Sequence, residues 1–335
     1  MSDDETIFVS VAAYQEPLLE FTLDNIFKFA SKPSRIFVGL FDQSEADTTR
    51  WLSQKKYDAN VRYVQIDPVQ ARGASWARSI CNTLYCGEDY FLQIDSHTWF
   101  DKGWDVKLLR LIDAAKKKSA KPVISTYPPP FGFGEDGKPI KNGIVQDAVF
   151  VLRPLPDANP RDEKASFGFG AVYVKGPVMR VGYHVAAGFI FAPGNFIEEV
   201  PYDYRMYFEG EEQNIAVRAF THGWDIFHVR DTFIPIYHLY KENGQDYVTH
   251  HWHQSVDSKR KTKWPEMYEM SDKRLRELVF DRKTGGAFGL GTVRSMDEYE
   301  KRSGIEYSKR RITWRVDDER SSSPAADQAG SGPEG

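Results

Sequence analysis

The feature that most constrains this chain is the alternation of apolar runs with amphipathic stripes over its first 125 residues. Side chains such as Leu19, Leu23 and Ile26 recur at helical spacing, which predicts helices with one buried face. Repeated strand–helix–strand order favours a mostly parallel sheet covered by helices, so the expected fold class is α/β. Five runs are typical of buried strands: residues 7–13, 35–41, 61–66, 89–94 and 122–125.

The alternation weakens after residue 125. Residues 127–143 are rich in proline and glycine and predict a long loop, a kind of segment that often carries function. Further strands are expected at residues 147–152, 170–175 and 187–191, and a helix at residues 211–221. Residues 285–291 form a glycine-rich segment that we expect to be flexible, and residues 321–335 have the composition of a disordered tail. We expect residues 1–310 to form a single domain.

Charge and composition exclude some classes of function. The 44 basic and 48 acidic side chains give a net charge of -4, which argues against nucleic-acid binding through bulk positive charge. The chain lacks an apolar run long enough to span a membrane, and its acidic first residues do not resemble a signal peptide. Two cysteines, Cys81 and Cys86, are too few for a disulfide framework and are expected to lie in one helix. These features predict a cytoplasmic protein.

An Asp-x-His motif follows the fourth apolar run. Asp95 and His97 should point in the same direction at the carboxyl end of a strand, where open α/β sheets bind ligands. A carboxylate beside an imidazole suits Mn²⁺ or another first-row divalent ion better than Ca²⁺. The alternative is an aspartate that caps the next turn and an exposed histidine.

Two further segments could contribute to a polar site. Three carboxylates within residues 209–212 open the helix predicted at 211–221, where they either complement the helix dipole or form the wall of a pocket. His238 follows an apolar strand-like run, and three more histidines lie at positions 250, 251 and 253. This cluster could supply a third metal ligand, although an aromatic surface turn is the alternative.

A third segment, at residues 70–78, opens a helix with small residues and two arginines. Small residues allow close approach of the backbone, and helix N-termini attract phosphate groups. Arg72 and Arg78 could add charge-assisted hydrogen bonds to a phosphate, or they could be solvated arginines of an ordinary amphipathic helix.

The order of these motifs carries a family resemblance. The first strand ends in Ala-Tyr-x-Glu-Pro and the second in Asp-Gln; Arg-Gly-x-x-Trp-Ala-Arg, Gln-Ile-Asp-Ser-His, Tyr-Phe-x-Gly-Glu-Glu and His-Leu-Tyr follow. From about residue 6 to residue 305 the chain resembles the GT-A (Rossmann-like) glycosyltransferases. Within them it most resembles the cytoplasmic GlcNAc-transferases that modify a hydroxyproline on the adaptor subunit of SCF-type ubiquitin ligases, and their bacterial relatives.

The resemblance implies a nucleotide-binding half at about residues 6–125 and a half for sugar and acceptor at 126–310. It also implies transfer of a sugar, GlcNAc above all, from a UDP-sugar to a hydroxyl acceptor such as hydroxyproline, with retention of configuration and with Mn²⁺. A more distant similarity to polypeptide GalNAc-transferases places the metal on Asp95, His97 and His238, with His251 in reserve for the last of these. A glycan- or capsule-building transferase and an inactive sugar-binding relative are the alternatives.

The same resemblance assigns roles to individual residues. Glu211 and Asp95 are the expected catalytic residues, with Glu211 holding the donor sugar or orienting the acceptor. The other expected contacts to the donor are Ala13, Tyr14, Glu16, Asp42, Arg72, Arg78, Ser96, Gly188 and Arg294.

Overall fold

The computed structural model describes residues 4–161, 163–240 and 250–313, so the tail predicted at 321–335 lies outside the described residues. The strands are β1 Ile7–Tyr14, β2 Ile36–Gln43, β3 Val61–Ile66, β4 Tyr90–Asp95, β5 Thr98–Phe100, β6 Pro122–Ser125, β7 Phe131–Phe133, β8 Pro139–Lys141, β9 Ala148–Pro154, β10 Phe169–Lys175, β11 Met179–Gly182, β12 Phe189–Pro193, β13 Asp225–Val229, β14 Ile236–His238, β15 Ile305–Glu306 and β16 Arg311–Ile312. The α-helices are α1 Leu19–Phe29, α2 Thr48–Leu52, α3 Ala74–Asn82, α4 Trp104–Lys116, α5 Phe196–Glu199, α6 Glu211–Thr221, α7 Gln254–Asp257, α8 Trp264–Val279 and α9 Met296–Ser303.

Eight of these strands form the central sheet, in the order β11-β13-β6-β12-β4-β1-β2-β3. Strands β1 to β4, β6 and β13 run in one direction, whereas β11 and β12 run against their neighbours. The expected α/β fold with a mostly parallel central sheet is therefore confirmed. The register aligns Ala13 with Asp42 and Ala12 with Asp95, so that β1, β2 and β4 end at one edge of the sheet.

Alternate side chains of the central strands bury two separate faces. Val9 and Leu92 pack in one core with residues of α1 and α4, including Leu23 and Trp104. Their neighbours in sequence, Phe8 and Phe91, lie in a second core that also holds residues of α5 and α6. The period-two alternation of the strands thus explains why helices cover both faces.

The structure differs from the sequence expectations in local detail. The predicted loop at 127–143 carries a short hairpin, β7–β8, whose Phe131 and Phe133 rings pack against Phe21. Helix α3 ends at Asn82, so Cys86 lies beyond it and is exposed, while Cys81 is buried. Short strands such as β5 and β14 escape prediction because three residues are too few to show a period.

The glycine-rich segment at residues 285–291 is tethered by buried arginines. The carbonyl of Ala287 accepts a hydrogen bond from Arg218, and the carbonyl of Phe288 accepts one from Arg274. Within the described part of the chain, none of the helices has both the length and the apolar character needed to cross a lipid bilayer.

Candidate active site

The carboxyl ends of β1, β2 and β4 place the predicted polar residues at one edge of the sheet. Asp95 is the last residue of β4, and the chain then turns through Ser96 and His97 into β5. Helix α1 supports this turn, because the Thr22 hydroxyl donates to the carbonyl of Ser96 at 2.8 Å and accepts from the amide of Thr98 at 3.0 Å. The carbonyl and amide of the turn are therefore satisfied inside the protein.

Strand β14 brings a second histidine to this turn. It pairs with β5 in antiparallel register, with His238 opposite Thr98. The His238 Nε2 atom lies 3.0 Å from Asp95 Oδ2 and 3.0 Å from His97 Nε2. The ligand atoms of Asp95, His97 and His238 all lie within 4.8 Å of one another. Two imidazole nitrogens and one carboxylate oxygen that converge in this way match the donor set preferred by first-row divalent cations.

A buried carboxylate fixes the orientation of the His97 ring. Glu16 lies 2.8 Å from His97 Nδ1, and because an ionised carboxylate can only accept, the proton of a neutral ring sits on Nδ1. The Nε2 lone pair then faces His238 and Asp95. This carboxylate–histidine arrangement recurs around protein-bound metals and fixes the tautomer and the orientation of the ring. Glu16, predicted to contact a donor, bonds His97 in the structure.

Arg78 links Asp95 to Glu211. Its Nη2 atom lies 2.7 Å from Asp95 Oδ1, and its Nη1 atom donates to Glu211 Oε1. Burial by itself would raise the pKa of Asp95, but the hydrogen bond from His238 and the charge of Arg78 hold that pKa well below its usual range. Asp95 is therefore ionised, with one oxygen on Arg78 and the other toward the two imidazoles.

The two glutamates that open α6 have different surroundings. The side chain of Glu211 is only 5% exposed and is directed to Arg78, whereas that of Glu212 is 29% exposed. Glu212 Oε1 accepts a hydrogen bond from the Ala187 amide at 2.8 Å. Consecutive helical residues point about 100° apart, so the two carboxylates face different neighbours. Glu212, which the sequence reasoning did not select as a site residue, is the more exposed of the two and is bonded to Ala187, the neighbour of Gly188.

Gly188 closes the site from the side of β12. A Cβ atom built on Gly188 would lie 2.7 Å from Asp95 Oδ2 and 3.9 Å from His238 Cδ2. A side chain here would collide with the carboxylate, so the absence of a Cβ leaves Asp95 its position beside His238.

Tyr14 and His251 meet on the other side of the β1 end. The Tyr14 hydroxyl accepts a hydrogen bond from Arg260 at 3.0 Å. Both ring nitrogens of His251 are engaged, one 2.9 Å from the Ala71 carbonyl and the other 2.7 Å from the Tyr207 hydroxyl. Burial lowers the pKa of His251 to about 4 and keeps its ring neutral. The structure thus gives His251 a packing role, and it is His238 that joins Asp95 and His97.

Three more of the predicted residues lie beside side chains other than that of Asp95. Asp42 is buried at the end of β2, where it accepts hydrogen bonds from the Ser44 and Thr48 hydroxyls at 2.9 and 2.7 Å, and burial raises its pKa. Ala13 is buried beside it. Arg72 is exposed, with its guanidinium 5.6 Å from the centre of the Trp76 ring.

Arg294 does not reach this edge of the sheet. It forms an ion pair at 2.8 Å with Asp225, the first residue of β13. Because β13 runs parallel to β6, and β6 runs in the direction of β4, Asp225 lies at the amino end of the sheet, opposite Asp95. Sequence motifs placed Arg294 near Asp95 as a donor contact, whereas the fold places it at the opposite edge of the sheet.

Sequence reasoning also missed several residues at the site. Arg260 is buried and contacts Tyr14, and the Tyr240 ring lies 4.3 Å from the ring of His238, centre to centre. Tyr240 follows His238 by only two residues, so its closeness to His238 in the chain could have identified it as a site residue. The contact of Arg260 with Tyr14 joins residues 246 positions apart and leaves no local pattern.

Comparison with known proteins gives two kinds of similarity. The sequence profile of the family described as glycosyltransferase (GlcNAc) matches residues 6–60 and 49–309. No curated protein matches the sequence significantly. Among solved structures, GalNAc-T7 with UDP, GalNAc and Mn²⁺ is similar with a TM-score of 0.56 and 16% identity, covering 84% of this chain and 49% of that one. This chain thus spans about half the length of GalNAc-T7.

A second similar structure is that of residues 1–349 of S. aureus TarS in complex with UDP-GlcNAc. It has a TM-score of 0.44 and 12% identity, and the match covers 82% of this chain and 73% of that one.

Proposed function

The chain belongs to the glycosyltransferase (GlcNAc) family and has the GT-A fold, and from this premise we propose that it transfers GlcNAc from UDP-GlcNAc to a hydroxyl acceptor with the help of Mn²⁺. The observation that carries the proposal is the convergence of Asp95, His97 and His238 at the carboxyl edge of the sheet. GalNAc-T7, which shares the fold, was solved with UDP, GalNAc and Mn²⁺. Three intact ligand positions argue against an inactive sugar-binding relative.

The proposed role of the cation is to neutralise the negative charge that builds on the leaving diphosphate. Asp95, His97 and His238 would hold it. Glu16 keeps the lone pair of His97 available for it, and Arg78 fixes Asp95 through the oxygen that does not face the imidazoles. At the diphosphate, the chain would thus supply metal ligands that are already oriented before the donor binds.

The opposite end of the donor would lie along the ends of β1 and β2. Tyr14 offers a ring held by Arg260, and Asp42 offers a buried carboxyl whose Oδ1 atom lacks a hydrogen-bond partner within the described residues. We assign uridine to this region. Asp42 is buried, and so is the Arg260 side chain that holds the Tyr14 ring, so the fold sets the shape of this region.

The sugar would lie between the cation and Glu212. The carboxylate of Glu212 is anchored by the Ala187 amide, next to the Gly188 position that contacts Asp95. The Glu212 side chain is 29% exposed, about as much as that of Asp95 at 28%. We propose that Glu212 contacts the sugar or the incoming hydroxyl, that Glu211 acts through Arg78, and that the configuration is retained by attack on the face from which the diphosphate leaves.

A row of aromatic rings beside the site is the proposed wall for the acceptor. The Phe150 ring stacks on Tyr173 with 4.5 Å between centres and meets Tyr127 at 6.3 Å, while Tyr240 covers His238. Such rings suit the flat apolar faces of a proline ring or a sugar. A protein hydroxyproline is the acceptor that the family resemblance favours, and a glycan is the alternative.

A donor screen tests the proposed function. The protein is incubated with Mn²⁺ and each UDP-sugar, and UDP release is measured with and without candidate acceptors. We expect UDP-GlcNAc to give the fastest release and excess chelator to abolish it. Full release in the presence of chelator, or faster release from a different UDP-sugar, would contradict the metal or the donor assignment respectively.

Replacing Glu212 with glutamine is expected to lower turnover by about 100-fold or more, because an uncharged amide is a weaker acceptor at a reacting centre. The affinity for UDP should stay near that of the parent protein, since UDP lacks the sugar. Glu209→Gln, at an exposed carboxylate that bonds Tyr268, is the matched control. Equal turnover of the Glu212→Gln variant and the parent protein would remove Glu212 from the reaction.

Adding a methyl group at Gly188 is expected to weaken Mn²⁺ binding. The Cβ of Gly188→Ala would displace the Asp95 carboxylate, so a higher Mn²⁺ concentration is needed to raise the melting temperature of the protein by the same amount. Gly132→Ala serves as the control, because its Cβ would meet only the amide end of Asn142. If the Mn²⁺ response of Gly188→Ala were unchanged, Mn²⁺ binding would not depend on the observed position of the Asp95 carboxylate.

A further inference from the structure

A cavity lies away from the metal-ligand cluster formed by Asp95, His97 and His238. Its volume is about 400 Å³, and it opens between the β9–β10 hairpin, the edge strand β11 and the segment from α9 to β15. Neither Asp95, His97 nor His238 lines it. This volume falls within the range of small-molecule sites.

The mouth of this cavity is positively charged. Arg180, Lys301 and Arg302 line it, and the described residues around it include no aspartate or glutamate. Arg302 also reaches Glu298 at 3.5 Å, an exposed contact of small energetic weight. For Arg180 the described part of the chain shows no ion pair, so its guanidinium is available to an anion.

A buried imidazole forms part of the inner wall. His184 is 2% exposed and stacks on Phe169 with 3.3 Å between ring centres. Its Nε2 atom lies 3.4 Å from Glu212 Oε2, and neither of its ring nitrogens has a hydrogen-bond partner within the described residues. A buried polar atom without a partner is costly, and a bound ligand or water would relieve that cost.

The rest of the wall mixes polar side chains, among them those of Ser303 and Thr313, with apolar ones. Val151, Leu152, Val174 and Ile305 contribute aliphatic side chains. The cavity therefore combines cations at its mouth, an imidazole nitrogen and a surface that suits carbon atoms. Guanidinium groups bind phosphate in a bidentate manner, which favours a phosphate over a single carboxylate as the anionic group.

We propose that this cavity is a second ligand site that binds a small phosphorylated molecule, with the phosphate on Arg180 and Arg302 and the carbon skeleton against the aliphatic wall. The cavity is lined by other residues than the proposed donor site, and the two adjoin where His184 lies beside Glu212. The proposal depends on the cavity alone and does not rest on the proposed transferase activity.

The experiment measures ligand binding with the donor site filled. Glucose 6-phosphate is titrated into the protein in saturating UDP and Mn²⁺. Binding is measured by calorimetry and by the change in melting temperature. Glucose with sodium chloride at matched ionic strength is the neutral comparison. We expect glucose 6-phosphate, and not glucose, to bind and to raise the melting temperature. Arg180→Gln and Arg302→Gln should each weaken this binding by about tenfold or more.

Lys309→Gln, at an exposed lysine that does not line the cavity, is the control and should bind glucose 6-phosphate as the parent protein does. Arg180 is partly exposed, so its variant should keep the melting temperature and UDP affinity of the parent protein. Absence of binding, equal binding by the Arg180→Gln variant, or loss of binding when UDP is added would each overturn the proposal. A failure to bind UDP would instead count against the proposed function, and the titration without UDP would still test the cavity.

Discussion

Replacing His238 with alanine is expected to raise the Mn²⁺ concentration for half-maximal UDP release by about 100-fold or more. Loss of a partner that merely supports a ligand costs a metal site about 10–100-fold in affinity, and His238 faces both Asp95 and His97 directly at 3.0 Å. The fold should survive, because the ring is partly exposed at the sheet edge. A direct measurement is the Mn²⁺-dependent rise in melting temperature, which should be lost in His238→Ala.

Two other histidines provide the controls for this prediction. His253 is exposed, so His253→Ala should leave the Mn²⁺ response unchanged. His251→Ala should lower the melting temperature, because the Ala71 carbonyl and the Tyr207 hydroxyl lose their partner. The Mn²⁺ concentration for half-maximal UDP release should not change. A large shift of that concentration in His251→Ala together with none in His238→Ala would transfer the metal assignment to His251.

Replacing Arg78 with methionine is expected to lower the free energy of unfolding by about 3–5 kcal/mol, the usual cost of leaving a buried charge without its partner. The uncompensated charge is that of Glu211, whose side chain is 5% exposed. Turnover should also fall, because Asp95 loses the hydrogen bond that fixes its Oδ1 atom. Chemical denaturation and UDP release, measured on the same preparation, give the two values.

The double variant Arg78→Met/Glu211→Leu separates stability from function. Apolar replacement of both partners of a buried ion pair is often neutral or stabilising, so most of the lost stability should return. Turnover should remain low, because neither new side chain can hold Asp95. Recovery of both stability and turnover would show that the Arg78–Glu211 pair has no role in turnover. Glu211→Gln, which keeps the shape and can still accept from Arg78, should have a smaller effect on both quantities than Arg78→Met.

The sequence predicts the part of this site that is contiguous. Asp95 and His97 are two residues apart at the end of a regular apolar strand, and strand alternation alone puts both side chains on one side. His238 lies 143 residues from Asp95; the sequence offered a cluster of histidines as a source of the third ligand, and the order of motifs in the resembled family selected His238 from it. The assignments of Glu211 and Arg294 came from the same motif order. In the structure Glu211 forms an ion pair with Arg78, and Arg294 forms one with Asp225.

By itself, then, the sequence determined the α/β class, the mostly parallel sheet and the edge at which the site lies, because buried strands and helices impose periods of two and 3.6 residues that can be read locally. Tertiary structure alone decided which polar side chains meet. The pairing of β14 with β5 brings His238 to His97, the rotation of α6 buries Glu211 and leaves Glu212 open, and Glu16 reaches His97 across 81 residues. These contacts depend on the register and packing of elements distant in sequence, which a local pattern does not encode.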